Sequence, residues 1–201
     1  MTTTLAFDIY GTLIDTNGVI HALTEMIGAQ RARSFSVLWR DKQLEYSFRR
    51  GLMRRYTNFA NCTRQALEYC CSALDTPLSE QQKRQLLETY RQLPAFDDVL
   101  EAVRSLHAGP YKLIAFSNGQ AEAVNGLLQY AKISQYFDDT VSVDEIKRFK
   151  PDPEVYRHLL KRCDSKAENT WLISGNPFDV MGAMSAGLKS AWLQRNRQMV
   201  F

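Results

Sequence analysis

Four short stretches of this chain carry side chains whose types and placing suit chemistry. Leu5-Ala6-Phe7 forms an apolar run of β type and delivers a carboxylate, Asp8, followed at once by Gly11-Thr12, where the backbone turns without a bulky side chain in the way. In open parallel α/β sheets ligands bind at the carboxyl ends of strands, so a lone acid there, with no basic residue beside it in sequence, is placed for chemistry rather than packing. An N-cap or turn aspartate is the other reading. Phe116-Ser117-Asn118-Gly119 closes a second apolar run; Ser117 offers a hydroxyl and the loop N–H groups would help to hold an anion, although Ser-Asn-Gly is also an ordinary turn. Lys150-Pro151-Asp152-Pro153 supplies a cation, with Tyr156 a helical turn further on, and a Lys-Pro pair by itself makes a loop. Ser174-Gly175-Asn176-Pro177-Phe178-Asp179 has Asp179 as its only carboxylate, and Pro177 suits the first turn of a helix.

The elements that must position these residues follow from the pattern of apolar side chains. After Asp15 the chain turns helical and stays so to about residue 91, with no strand candidate to interrupt it. Phe35, Leu38, Trp39, Tyr46 and Leu52 recur near helical spacing, Phe59 to Leu74 forms another amphipathic run, and Pro77-Leu78-Ser79-Glu80 opens a third through Tyr90. Pro94-Ala95-Phe96 ends the block, and Asp97 to Leu106 returns as a helix. From there strands at 111–116, 140–143, 171–173 and 190–193 alternate with helices at 121–131, 152–162 and 177–186, the βαβ grammar of a parallel sheet. The expected architecture is an α/β doubly wound parallel-sheet core of residues 1–16 and 92–201, Rossmann-like, with an inserted helical cap of residues 17–91. Ser117, Lys150 and the loop from Ser174 to Asp179 then lie on the same sheet edge as Asp8.

Composition narrows the partners. The chain has 201 residues, is 45% hydrophobic and carries a formal charge of +3, enough for a proper core and too weakly basic for nucleic acid. Arg49-Arg50 with Arg54-Arg55 forms the densest basic patch, a solvated helix face. Nothing approaches the ~18 apolar residues of a membrane span, and Met1-Thr2-Thr3-Thr4 has no basic region leading into an apolar stretch, so the expected location is cytoplasmic. Cys62, Cys70, Cys71 and Cys163 lack Cys-x-x-Cys spacing and a histidine cluster, and are expected as free, mostly buried thiols.

Asp8-Ile9-Tyr10-Gly11-Thr12-Leu13 resembles the first motif of the haloacid dehalogenase superfamily, in which the leading aspartate is a nucleophile. Most phosphatases of that superfamily carry a second aspartate two residues on. Tyr10 stands there instead, as in the L-2-haloacid dehalogenases, the type II family. The Ser-Asn-Gly loop, Lys150-Pro151 and Ser174-x-Asn176-x-x-Asp179 resemble the following motifs in order, and Leu38 to Tyr46 resembles the dehalogenase cap helix. Asn176 replaces the first of the paired aspartates that hold magnesium in metal-dependent relatives, since that ion demands hard oxygen ligands.

The resemblance implies the following roles. Asp8 attacks carbon 2 of an L-2-haloacid in line with the carbon–halogen bond; Arg40 and Asn118 take the halide, a task suited to a permanently charged, weakly hydrated guanidinium. Ser117, Lys150 and loop amides hold the substrate carboxylate. Tyr10, Leu44, Phe59 and Phe178 line an apolar wall, with Asn58 beside it. Water positioned by Asp179 then hydrolyses the aspartyl ester, with Thr12, Ser174 and Asn176 supporting the loop and Tyr156 counted among the catalytic residues, and one inversion gives the D-2-hydroxy acid. The implied partner is a small halogenated carboxylate, without cofactor or metal, and homodimers occur in the family. Two alternatives stay open: a magnesium-dependent phosphatase or phosphonate hydrolase, and an idle member that binds a carboxylate or a partner protein. Two positions depart from the family, Asp41 where glutamine is usual and Phe178 where tryptophan is usual. A carboxylate beside Arg40 would compete with the halide unless it faces another side of the helix, and a smaller ring at 178 would leave room in the pocket.

Overall fold

The computed structural model describes residues 2–197 and 200. The chain divides into two compact units, Met1–Asp15 with Pro94–Phe201, and Thr16–Leu93; the sequence pattern puts these joins at 16/17 and 91/92. Strand β1 covers Thr3–Phe7. The helical unit holds α1 (Ile20–Ile27), α2 (Ala29–Leu52), α3 (Phe59–Ala73) and α4 (Glu80–Thr89). The remaining elements are α5 (Val99–His107), β2 (Tyr111–Ser117), α6 (Ala121–Tyr130), β3 (Asp139–Ser142), α7 (Pro153–Cys163), β4 (Thr170–Ser174), α8 (Pro177–Ser185) and β5 (Lys189–Trp192).

The five strands form one sheet in the order β3-β2-β1-β4-β5, every neighbouring pair parallel. This is the α/β doubly wound core of the sequence reading. Ala6 pairs with Ile114 on one side and Leu172 on the other, and all three are fully buried, which explains why β1, β2 and β4 are nearly continuous apolar runs. The chain builds outward from β1 through β2 to β3, then returns to the far side of β1 for β4 and β5. That reversal puts the topological switch point between β1 and β4, where the carboxyl ends of the strands open a crevice. Asp8 and the loop after Ser174 lie there. Gly11, at φ 79°, lets the backbone turn between Ile9 and Ile14 so sharply that the Ile9 carbonyl accepts from the N–H groups of Thr12, Leu13 and Ile14. Asp15 N–H donates to the Pro94 carbonyl at 2.8 Å and Phe96 N–H to the Leu13 carbonyl at 3.0 Å, closing the core where the helical insertion leaves and rejoins it.

Gly28 sits at φ 80°, ψ 151°, separating α1 from α2, a conformation that only a residue without Cβ adopts readily. One expectation within the helical unit needs correcting. Leu52, counted in the apolar series of α2, is 86% exposed in the last turn of that helix, while Phe35 and Trp39 from the same series are buried. Asn58 caps α3 by accepting from Asn61 N–H at 2.9 Å, and Ser79 with Gln82 makes a capping box at the start of α4. Among the described residues the cysteines are free; Cys62, Cys70 and Cys163 are buried and Cys71 is half-buried. No described helix is long and apolar enough to cross a membrane.

Candidate active site

The end of β1 aims the Asp8 side chain into a ring of donors. Asp8 N–H continues the ladder by donating to the Ile173 carbonyl at 3.0 Å, which fixes the residue against β4. Its Oδ2 accepts from the Thr12 hydroxyl at 2.6 Å and from Asn176 Nδ2 at 2.7 Å, and its Oδ1 from Lys150 Nζ at 3.0 Å. Asn176 Nδ2 also donates to the Tyr10 carbonyl at 3.0 Å. With two oxygen acceptors on one side, the Asn176 amide can present only its NH2 there. Thr12 in turn accepts from Gly175 N–H at 2.8 Å, so the loops after β1 and β4 brace one another through that hydroxyl.

Lys150 is the hub of a buried charge cluster. Its Nζ stands 3.0 Å from Asp8 Oδ1, 2.8 Å from Asp179 Oδ2 and 2.9 Å from the Phe116 carbonyl, with the Phe116 ring beneath at 4.1 Å. Asn118 Oδ1 accepts from Lys150 N–H at 2.9 Å and so ties the loop after β2 to the lysine's backbone. Burial works against the ammonium, but the carboxylates of Asp179 and Asp8 outweigh it and raise the Lys150 pKa above its ordinary 10.5. Asp179 is fully buried in the first turn of α8. Burial pushes its pKa up, Lys150 pulls it down and Asp8 pushes it up again, and the net direction is upward. The Tyr156 hydroxyl donates to Asp179 Oδ1 at 2.7 Å; burial in first place, then Asp179, raises the phenol far above its usual range and keeps it a donor.

Each of the remaining predicted residues has a definite place. Ser117 ends β2, is fully buried, and its Oγ accepts from Gly119 N–H at 3.0 Å; Ser174 ends β4, is equally buried, and accepts from Asn176 N–H at 3.1 Å. Both serines hold their loops in shape through these bonds. Tyr10 is buried beside Gly119, where a Cβ would meet its ring at 3.2 Å, and Phe178 is half-buried in the first turn of α8. The core therefore brings together Asp8, Thr12, Asn118, Lys150, Tyr156, Asn176 and Asp179, with Tyr10, Ser117, Ser174 and Phe178 on the same loops.

Arg40, Leu44 and Phe59 belong to the helical unit. Arg40 and Leu44 are half-buried on α2, and Phe59 is buried at the start of α3. Arg40 Nη1 donates to Gln43 Oε1 at 2.7 Å. Asp41, by contrast, is exposed in a shallow groove with Gln30, Arg33, Ser34, Val37 and Leu38. Successive helix residues point about 100° apart, and the carboxylate accordingly faces that groove.

Three features have no signal in the motifs. Gln43 is almost fully buried behind Arg40. Gly182 in α8 lies against the Tyr156 hydroxyl. Arg195 Nε donates to the Thr12 carbonyl at 3.0 Å, its Nη1 pairs with Asp98 at 2.7 and 2.9 Å, and its guanidinium covers the Phe96 ring at 4.3 Å. Arg195 thus clamps the loop after β1 from a position 183 residues away in sequence.

Comparison with known proteins agrees with this geometry. A family model described as hydrolase, haloacid dehalogenase-like hydrolase, matches residues 2–187. An (S)-2-haloacid dehalogenase of Pseudomonas putida is 35% identical over 191 residues, covering 95% of this chain and 84% of that protein. The solved structure of L-2-haloacid dehalogenase from Xanthobacter autotrophicus with chloropropionic acid covalently bound is 32% identical, with a TM-score of 0.91 over 98% of this chain and 80% of that one. A dehalogenase crystallised as an intermediate complex gives a TM-score of 0.93 at 30% identity over 99% and 87% of the two chains. The chain belongs to the haloacid dehalogenase-like hydrolase family.

Proposed function

We propose that this protein is an L-2-haloacid dehalogenase that converts its substrate to the D-2-hydroxy acid through an ester on Asp8. The observation that carries the reading is the unequal loading of the Asp8 carboxylate: Oδ2 accepts from two donors, Thr12 and Asn176, and Oδ1 from one, Lys150. Each carboxylate oxygen has two lone pairs, so Oδ1 keeps one for attack. Oδ1 bonds to carbon 2 as the carbon–halogen bond breaks and the halide leaves with the bonding pair. The ester then has Oδ2 as its carbonyl oxygen, already under two donors. Water adds to the Asp8 side-chain carbon, giving its proton to Asp179, and the negative charge that develops on Oδ2 meets Thr12 Oγ1 and Asn176 Nδ2. Collapse breaks the bond between Oδ1 and the acyl carbon, Asp179 returns the proton to the departing alkoxide to give the hydroxy acid, and loss of the remaining acid proton to solvent restores the Asp8 carboxylate.

The helical unit is a cap in this reading, and the resemblance assigns its Arg40 to the departing halide, with Leu44 and Phe59 in the apolar wall. By the resemblance Asn118 shares the halide with Arg40, and Ser117 with the loop amides holds the substrate carboxylate; Lys150, whose three N–H donors are taken by Asp8, Asp179 and the Phe116 carbonyl, offsets the negative charge of the site rather than bonding the substrate directly. The donor set does not suit a magnesium ion. An ammonium lies between the two carboxylates, and Asn176 turns N–H groups rather than its carbonyl toward Asp8, whereas magnesium needs several hard oxygens. Metal-independent turnover in the cytoplasm is the corresponding expectation.

Halide release from L-2-chloropropionate tests the proposal, with and without a chelator. Release that the chelator leaves unchanged is the expected result. A requirement for magnesium, or faster turnover of p-nitrophenyl phosphate, would replace the reading with the phosphatase one, and absence of turnover on either substrate would favour the idle member that binds a carboxylate or a partner protein.

A further inference from the structure

The inference concerns how Arg40 is aimed, and it rests on the assignment of Arg40 to the halide. Gln43 lies one turn along α2 from Arg40 and is 1% exposed, an uncharged polar side chain enclosed in the helical unit. Its Oε1 accepts from Arg40 Nη1 at 2.7 Å and from the Tyr90 hydroxyl at 3.2 Å, and its Nε2 donates to Thr63 Oγ1. Thr63 spends its own hydroxyl proton on the Phe59 carbonyl at 3.0 Å. Its oxygen can therefore only accept from Gln43, which fixes the direction of the whole chain of bonds: Nε2 must face Thr63, and Oε1 must face Arg40. The Trp39 indole N–H donates to the Thr63 carbonyl at 2.8 Å and pins the same turn of α3. Tyr90 lies against Arg40 as well as Gln43; burial, ahead of the lowering effect of Arg40, raises its phenol above the ordinary 10 and keeps its proton in place.

We infer that Gln43 is the positioning residue for Arg40: a buried amide, locked in one orientation by Thr63 and Tyr90, that holds the guanidinium with a neutral acceptor. Neutrality is the functional point. A carboxylate would orient the guanidinium equally well, but it would form a charge-assisted pair and take up the charge that an incoming halide needs. A neutral carbonyl oxygen restricts the rotamers of a flexible arginine while leaving its positive charge uncompensated by that contact. Enclosing the amide costs little because both its oxygen and its nitrogen have hydrogen-bond partners.

The experiment compares chloride and bromide as leaving groups. Chloride is the poorer leaving group and depends more on stabilisation, so misplacing Arg40 should slow 2-chloropropionate more than 2-bromopropionate. In Gln43→Glu the ratio of bromide to chloride kcat should rise about tenfold, and added halide should inhibit correspondingly less, because the new carboxylate pairs with Arg40. Thr63→Val should move the ratio the same way by a smaller factor, and Thr63→Ser, which keeps the hydroxyl, should restore the parent ratio. If Gln43→Glu fails to fold, the two Thr63 variants decide the question. Loss of packing alone would lower both rates equally. The inference is overturned if Arg40→Gln raises the ratio while Gln43→Glu, or Thr63→Val in its absence, scales both substrates alike. Should Arg40→Gln itself leave the ratio unchanged, the halide role of Arg40 fails, and that is a different failure.

Discussion

Replacing Gly182 by alanine is a sharp test of the packing behind Asp179. In an exposed helix interior this change stabilises by about 1 kcal/mol, since alanine is the better helix former. Here it should do the reverse. A Cβ built on Gly182 would stand 2.4 Å from the Tyr156 hydroxyl, 2.9 Å from its ring and 2.6 Å from Pro151 Cβ. All three distances are shorter than real carbon contacts, and Tyr156, fully buried, cannot yield freely, although Pro151 is exposed in the site loop. Overpacking of this kind costs about 1–3 kcal/mol. Driving the hydroxyl off Asp179 Oδ1 loses a bond to a charged acceptor, about 1.5–3 kcal/mol. After the helix gain the net loss is about 1.5–5 kcal/mol, which for a chain of this size lowers Tm by about 3–20 °C. Thermal unfolding followed by circular dichroism reads the shift, and halide release reads the loss of Asp179 alignment. Tyr156→Phe removes the nearest atom, so it should cost less in the Gly182→Ala background than in the parent. A Gly182→Ala protein with an unchanged or higher Tm would refute this account of the α7 to α8 contact.

Lys150→Met leaves two buried carboxylates facing one another, and breaking such a pair should cost about 3–5 kcal/mol of stability in urea unfolding. Burial and Asp8 already raise the Asp179 pKa above its ordinary 3.8 against the pull of Lys150, so any residual activity of this variant should have its acid limb moved to higher pH; a limb that stays put would exclude Asp179 as the base. In the parent protein the raised Lys150 pKa sets the alkaline end. The stability due to that charge is fully present below pH 10.5 and is lost only as the pH rises through the raised value, which alkaline unfolding of parent and variant would show. Asp41→Gln should change halide release by less than about 0.5 kcal/mol, because the carboxylate faces a shallow outer groove. Phe178→Trp should favour 2-chloropropionate over 2-chlorobutyrate relative to the parent; equal preference would remove residue 178 from the pocket.

The cluster around Asp8 was legible because its members sit at fixed points of a regular pattern. A parallel sheet brings the carboxyl ends of its strands to one edge, so an apolar run that closes on Asp8, Ser117 or Ser174 already says on which edge the residue must lie. The sheet order, with β1 between β2 and β4, then adds the switch point that alternation alone does not locate. The helical unit was less legible in detail. Spacing cannot tell that Gly28 divides one helical run into two, or that α2 carries Leu52 past the end of the apolar contact. The supports of the site were invisible for another reason. Gln43 with Thr63 spans 20 residues and Arg195 with Thr12 spans 183; such partners are set by packing, and nothing local in either sequence announces the other. Asp41 is the case the sequence leaves open: its side chain lines the outer groove, yet the Arg40 charge still acts on it and partly offsets the rise in its pKa caused by burial.

The covalent role of Asp8 is the central claim, and a single turnover in oxygen-18 water tests it most directly. Enzyme in excess over L-2-chloropropionate should yield D-lactate whose new hydroxyl oxygen is unlabelled, having come from Asp8, while mass spectrometry of the peptide containing Asp8 shows one oxygen-18 in its carboxylate. Label in the lactate hydroxyl with none in the peptide would mean that water attacks carbon 2 directly, and the account of Asp8 as nucleophile would be wrong.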